Sequence, residues 1–158
     1  MKKTNAMRIL DKNKIEYETR TYDVSDDKID GMSVAEKVGV SYKEVFKTLV
    51  TQGKNGHYVF VIEVDRKLDL KKAAESVGEK KIEMLRQRDL KPLTGYVHGG
   101  CSPIGMKKFF PTVIDMDARN LTEMAVSAGT VGMQVILSPK NLAKVTKAEF
   151  ADIKFIEN

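Results

Sequence analysis

Apolar positions along the chain fall into short blocks whose spacing switches between the helical and the strand period. Behind Thr4, a residue suited to cap a helix, Ala6, Ile9 and Leu10 share one helical face. Ile15, Tyr17, Thr19 and Thr21 alternate with charged residues, the period-two pattern of a half-buried strand. The stretch from Asp23 to Gly31 is polar and reads as a loop. Ser33-Val34-Ala35-Glu36 has the form of a capping box and Gly39 suits a helix stop, so a short helix is predicted over Val34–Val38. Two strands follow, Val45–Thr51 and Tyr58–Val64, around Gly53-Lys54-Asn55-Gly56. Asn55-Gly56 suits a type I′ hairpin turn. The second strand is apolar on both faces and is predicted to be central.

The second half continues in the same manner. Asp69 caps a helix running to about Val77, where Gly78 stops it, and another short helix is predicted over Lys80–Arg88. Pro92 and Gly95 break the chain before Tyr96-Val97-His98. Strands are predicted over Thr112–Asp115, Met124–Ala128 and Met133–Leu137, the last two joined by the turn Gly129-Thr130-Val131-Gly132. Ser138-Pro139 supplies a cap and a first-turn proline for a helix through about Val145. Thr146-Lys147-Ala148-Glu149 is a further capping box or turn, and Ile153–Ile156 a last short strand. Hairpins and helices interleave without strict βαβ alternation. The predicted class is therefore α/β of the α+β kind, a mixed sheet with helices around it.

Length and composition narrow the choice. The 158 residues fit one domain, taken as residues 1–158, and 42% hydrophobic with 31% charged residues describes a soluble globular chain. One cysteine permits no internal disulfide. The N-terminus is basic without an apolar segment behind it, and the longest plain apolar run, Tyr58–Ile62, is too short to span a membrane. A cytoplasmic protein is expected, with no membrane partner. A net charge of +5 permits an anionic partner such as RNA without demanding one.

The densest chemistry is Gly99-Gly100-Cys101-Ser102-Pro103-Ile104-Gly105, followed by Met106-Lys107-Lys108. Glycines allow close approach of backbone to a ligand. Ser102-Pro103 reads as a turn or a helix start with free N–H groups suited to a carbonyl oxygen or a phosphate. The same residues also fit a tight strand-to-helix connection with a solvated lysine pair behind it. Lys47 lies in Phe46-Lys47-Thr48-Leu49-Val50 and shares a strand face with Leu49. It can project into a cleft as a fixed cation or snorkel from a sheet edge. Cys101 has no acidic orienter near it and reads as a small apolar residue more readily than as a nucleophile. His57 follows a turn and is expected to be exposed. Two histidines and one cysteine without ligand spacing do not form a metal site, so no metal and no organic cofactor are expected.

Taken together these pieces resemble the YbaK/EbsC family of aminoacyl-tRNA deacylases, relatives of the editing domain of prolyl-tRNA synthetases. The resemblance spans nearly the whole chain. It rests on Thr21-Tyr22-Asp23, Phe46-Lys47-Thr48-Leu49, Leu70-Lys71-Lys72-Ala73-Ala74, Thr94-Gly95-Tyr96, the Gly99–Lys108 loop, Ser127 with Gly129, and Leu142-Ala143-Lys144-Val145. It implies a curved mixed sheet around a pocket, with Lys47 as the catalytic residue. It implies substrate binding by Tyr22, Phe46, Thr48, Gly99, Gly100, Ser102, Pro103, Gly105, Ser127 and Gly129. Lys107 and Lys108 are expected to meet tRNA. The implied reaction removes the amino acid from a misacylated tRNA, with Cys-tRNA(Pro) as the expected substrate and its own thiol as nucleophile. Prolyl-tRNA synthetase is the partner this suggests, and DNA is not. His98 and Cys101 stand where the family pattern is usually apolar, which bears on acyl preference. A deacylase for Ala- or Ser-charged tRNA and a non-catalytic tRNA- or synthetase-binding domain are the alternatives.

Overall fold

Helix α1 (Asn5–Lys12) begins where the Thr4 hydroxyl accepts a hydrogen bond from Met7 N. This is a computed structural model, and it describes residues 2–156. Strand β1 (Glu18–Thr21) is shorter than the alternation predicts, because Ile15 N bonds back to Leu10 O and completes the exit from α1. Helix α2 (Gly31–Val38) starts three residues earlier than predicted. Its cap is Asp30, whose carboxylate accepts from both Ser33 N and Ser33 Oγ. The serine of the supposed capping box is thus occupied by a stronger acceptor upstream. Gly39 closes α2 at φ 72°, as predicted.

Strands β2 (Phe46–Gly53) and β3 (Gly56–Glu63) form the predicted hairpin, in the register Lys47 opposite Ile62 and Gly53 opposite Gly56. The turn differs. Its centre is Lys54-Asn55, and neither residue has positive φ, so it is not type I′. Glu79 supplies the reason. Its carboxylate accepts from Asn55 N at 2.9 Å and from the Tyr58 hydroxyl at 2.6 Å, holding the turn from outside the hairpin.

Helix α3 (Leu70–Ser76) is capped by Asp69 as predicted. The helix predicted over Lys80–Arg88 does not form. Ile82–Met84 is a strand, β4, that pairs with Thr51–Gly53, and helix α4 (Gln87–Thr94) follows. A pairing edge on β2 and a buried site for Ile82 outweigh the intrinsic helical preference of this lysine- and arginine-rich stretch. Pro92 does not break the chain but lies inside α4, which Gly95 ends at φ 87°. Strand β5 (Thr112–Asp115), a 3₁₀ turn over Met116–Asn120, β6 (Met124–Ser127) and β7 (Met133–Leu137) come next. Helix α5 (Pro139–Thr146) takes its cap from Ser138 and ends on Lys147 in the left-handed region, so Thr146–Glu149 is a turn and no new cap. The last strand, β8 (Glu149–Ala151), precedes the predicted 153–156. It pairs parallel to β5, and the later segment keeps one bridge, Lys154 to Leu68.

The strands form two sheets. One is antiparallel, in the order β1-β7-β6, and the other is mixed, in the order β4-β2-β3-β5-β8. Central β3 explains the apolar run. Tyr58, Phe60 and Ile62 pack with Ala73 and Ala74 of α3, while Val61 packs with Phe46, Ile114 and α1 on the opposite face. Burying a side chain such as Phe60 contributes about 2–3 kcal/mol. The sheets meet at one seam, where Ala125 N donates to Glu44 O at 2.8 Å and Val45 bridges Ala125 in parallel. No helix among the described residues is long and apolar enough to cross a membrane.

Candidate active site

Beyond the bridge at Val45 and Ala125, β2 and β6 run in the same direction without further pairing. The gap between them is a cavity of about 280 Å³. Phe46, Lys47, Thr48 and Leu49 line it from β2, Ser127 and Gln134 from the antiparallel sheet, and Tyr22 from the end of β1. Ile29 and Asp30 form part of the rim, on a loop that Lys37 gathers by donating to Asp23 O, Asp26 and Lys28 O. His98, Gly99 and Cys101 close another side.

Strand alternation fixes which backbone groups face this gap. Val59 N donates to Pro111 O, so the odd residues of β3 turn towards β5 and its even residues pair with β2. Phe46, Thr48 and Val50 therefore turn their N–H and C=O groups away from β3. Val50 O accepts from Leu85 N, whereas Thr48 faces the gap. On the opposite side Ala128 N bonds to Met133 O and Ala125 N to Glu44 O, so Ser127 also turns its backbone towards β2. Two strand-edge N–H groups, those of Thr48 and Ser127, thus face the same space.

Three polar side-chain atoms of the cavity are unpaired among the described residues. Tyr22 Oη, Thr48 Oγ1 and Gln134 Oε1 are buried without a hydrogen-bond partner. Three such atoms around one cavity describe a site that is satisfied only when occupied. Lys47 is half-buried and makes no ion pair or side-chain hydrogen bond among the described residues. Burial lowers the pKa of its ammonium, and the negative charge of Asp65 partly opposes this. Ser127 Oγ accepts from Gly129 N at 3.1 Å, which keeps its proton free to be donated.

The glycine loop differs from its predicted form. Ser102-Pro103 starts no helix, and the Ser102 hydroxyl accepts from Ile104 N within a bend. Gly100 N is used by Val97 O, so this N–H is not available to a ligand. What the loop provides is packing. A Cβ on Gly100 would lie 3.0 Å from the Thr130 carbonyl carbon, and one on Gly129 2.9 Å from the Tyr96 ring. Tyr96 in turn donates to Ile104 O at 2.5 Å. Cys101 forms part of the cavity wall, and burial pushes its thiol pKa up to about 12. A thiol held neutral in this way is no nucleophile.

Of the residues predicted for the site, Tyr22, Phe46, Lys47, Thr48, Gly99 and Ser127 line the cavity together, with Gly100 and Gly129 in supporting contacts. Pro103, Gly105 and Lys108 line a separate depression beside Phe109, and Ser102 is fully buried. Lys107 lies along Gly95 and donates to Pro92 O. The sequence reading missed Gln134, whose signal is a lone amide within the apolar strand Met133–Leu137. It also placed His57 outside, where it is half-buried with its ring edge against Phe110. Away from the cavity, Glu63, Asp115 and Asp117 come together, and the Lys154 ammonium bonds Asp115 at 2.6 Å and Asp117 at 2.8 Å.

The aminoacyl-tRNA editing domain matches residues 30–145. EbsC of Enterococcus faecalis, named as a proposed Cys-tRNA(Pro)/Cys-tRNA(Cys) deacylase, is 47% identical over 152 residues, 96% of this chain and 93% of that protein. The prolyl-tRNA editing protein ProX of Acetoanaerobium sticklandii is 26% identical, over 94% of this chain and 92% of its own. A crystal structure of a proposed trans-editing enzyme for prolyl-tRNA synthetase superposes with a TM-score of 0.83 at 25% identity, over 98% of this chain and all of that one.

Proposed function

The chain belongs to the aminoacyl-tRNA editing domain family, and from that premise we propose that it is a trans-editing deacylase acting on Cys-tRNA(Pro). The observation that carries this reading is the cavity at the parting of β2 and β6. It combines a cation, Lys47, with three polar atoms, from β2, from β7 and from Tyr22 just past β1, all without a partner among the described residues. Acyl-ester cleavage develops negative charge on the carbonyl oxygen, and preorganised donors at that oxygen are the largest aid a protein can give. The facing N–H groups of Thr48 and Ser127 are suited to receive the oxyanion. The Lys47 ammonium reinforces them in partly water-excluded surroundings, where charge acts more strongly.

The nucleophile is the substrate's own thiol. Its sulfur bonds to the carbonyl carbon, the bond from that carbon to the ribose oxygen breaks, and the thiol proton leaves with the released ribose hydroxyl. The products are a cyclic thiolactone and free tRNA. The neutral, walled-in Cys101 agrees with a reaction that needs no protein nucleophile. Editing is required because a synthetase rejects a near-isosteric amino acid by only about 1–3 kcal/mol per methylene. Prolyl-tRNA synthetase is the partner proposed to hand over the mischarged tRNA, and Lys107 and Lys108 are proposed to meet the tRNA body.

Single-turnover deacylation of tRNA(Pro) charged in turn with cysteine, alanine, serine and proline tests the reading. Release of cysteine as the thiolactone, at least tenfold faster than of the other three, is expected. Equal release of alanine and serine would replace this reading with water-driven hydrolysis, for which His98 on the cavity wall is the available base.

A further inference from the structure

A second depression, about 400 Å³ and open to solvent, continues outward from the cavity and shares Lys47, Leu49 and Val64 with it. Its far walls are the β3–α3 loop, with Arg66 and Lys67, and the exposed apolar side chains of Leu70 and Met84. We propose that this groove receives the single-stranded 3′ end of the RNA whose terminal acyl group occupies the cavity, with Arg66 and Lys67 meeting its phosphates. The inference rests on the reading of the cavity as the acyl site.

Three features select this occupant. The first is continuity. Lys47 stands in both spaces, so a chain whose end lies in the cavity can pass along it into the groove. The second is charge. Lys47, Arg66 and Lys67 face the groove against one carboxylate, Asp65, and a run of phosphates matches that excess. The third is the pairing of cations with apolar surface. Leu70 and Met84 are 39% and 42% exposed, and offer flat apolar contact to unpaired bases next to the cations that track a backbone.

The loop is also held firmly enough to act as a surface. Asp69 N donates to Ile153 O and Phe155 N to Lys67 O, so backbone bonds tie both of its ends to the C-terminal segment. Arg66 reaches Phe155 O at 3.3 Å and the Lys67 ammonium lies over the Phe155 ring. Neither side chain forms an ion pair among the described residues, so both charges are available to a ligand. Neither Lys107 nor Lys108 lines this groove.

The test compares three ligands: cysteinyl-adenosine, a short oligoribonucleotide ending in CCA with and without a 3′-cysteinyl ester, and full-length tRNA(Pro). Arg66→Glu with Lys67→Glu is expected to weaken binding of the uncharged oligonucleotide at least tenfold and to flatten its salt dependence. The loss of cleavage on the charged oligonucleotide should exceed that on cysteinyl-adenosine by at least tenfold. Lys107→Glu with Lys108→Glu should affect full-length tRNA alone. Circular dichroism and thermal melting check that the variants fold, and Arg66→Gln with Lys67→Gln gives a milder second pair. Unchanged oligonucleotide binding in folded variants of either pair, or equal losses on the oligonucleotide and cysteinyl-adenosine, would overturn the groove assignment. Binding is read on uncharged RNA. A protein that binds it through Arg66 and Lys67 without cleaving any ester would therefore keep this groove and lose the proposed reaction.

Discussion

Gly100 lies against the backbone of Val131 so closely that a Cβ built on Gly100 would sit 2.9 Å from Val131 N. This contact joins the loop behind the cavity to the β6–β7 turn, two residues past Gly129 and four past Ser127. Neither neighbour is a flexible side-chain end, so nothing nearby can give way cheaply.

Gly100→Ala is therefore expected to push the loop off the turn, at a cost of about 1–3 kcal/mol, the usual size for overpacking. It should raise KM as well, because Gly99 and Cys101 move with it. Gly78→Ala is the comparison. Gly78 has φ 75° but nothing within 4 Å of its Cβ, so the alanine should lower thermal stability alone. Identical kinetic behaviour of the two variants would refute the account of Gly100.

Lys47→Ala and Lys47→Arg should each lose at least ~100-fold in deacylation while remaining folded, the size expected for one oxyanion contact. Arginine fails because a planar fork does not replace a point charge. Lys54→Ala, in the exposed turn, should keep wild-type turnover. A further consequence concerns pH. In the proposed reaction the charged form of Lys47 is the active one, and burial lowers its pKa, so turnover should fall on the alkaline side below the usual 10.5. Asp65→Asn removes the opposing charge and should move this limb to lower pH. A limb that does not respond to Asp65→Asn would show that another group titrates there.

Cys101→Ala should keep deacylation within about tenfold of wild type, whereas loss of a true nucleophile costs orders of magnitude more. His98→Ala should do the same on the cysteinyl substrate. Mass spectrometry of a quenched reaction should show no acyl group on Cys101. An acyl-Cys101 adduct would contradict the proposed chemistry.

The buried cluster at the ends of β3 and β5 should be visible in stability. Burial, with Asp115 adding to it and Lys154 opposing, raises the Glu63 pKa from 4.5 to about 7. Between these values the folded state holds a proton that the unfolded chain has released. Stability contributed by Glu63 is thus complete below about 4.5 and is lost as pH rises through 7, by at most about 3 kcal/mol. Glu63→Gln should flatten the dependence of the urea midpoint on pH between 5 and 8 and leave the variant more stable than wild type at pH 8. A steeper dependence would mean that the ionised carboxylate is the stabilising form.

How far the sequence reveals all this depends on where each element finds its partners. The helix after Asp69 and the strands on either side of Lys54-Asn55 were legible because their caps and periods are local. β4 was not, because Ile82–Met84 becomes a strand only where β2 offers an edge. The turn at Lys54 was misread for the same reason, since Glu79, 24 residues after Asn55, holds it. In the site, Lys47 and Ser127 could be named from motifs. Gln134 could not, because an amide in an apolar strand gains meaning only when the opposite wall is known.

The single bridge between Val45 and Ala125 has a consequence for how such a protein diverges. The two walls of the cavity are carried on separate sheets, and their backbones touch at that point like the jaws of a caliper. Ala35, Ala125 and Ile136 pack around this contact and none of them lines the cavity. Adding a methyl group to either alanine would reset the opening of the jaws while every lining side chain stayed the same. The amino acid that fits can thus be retuned from behind the site, and a comparison of lining residues alone would not detect the change.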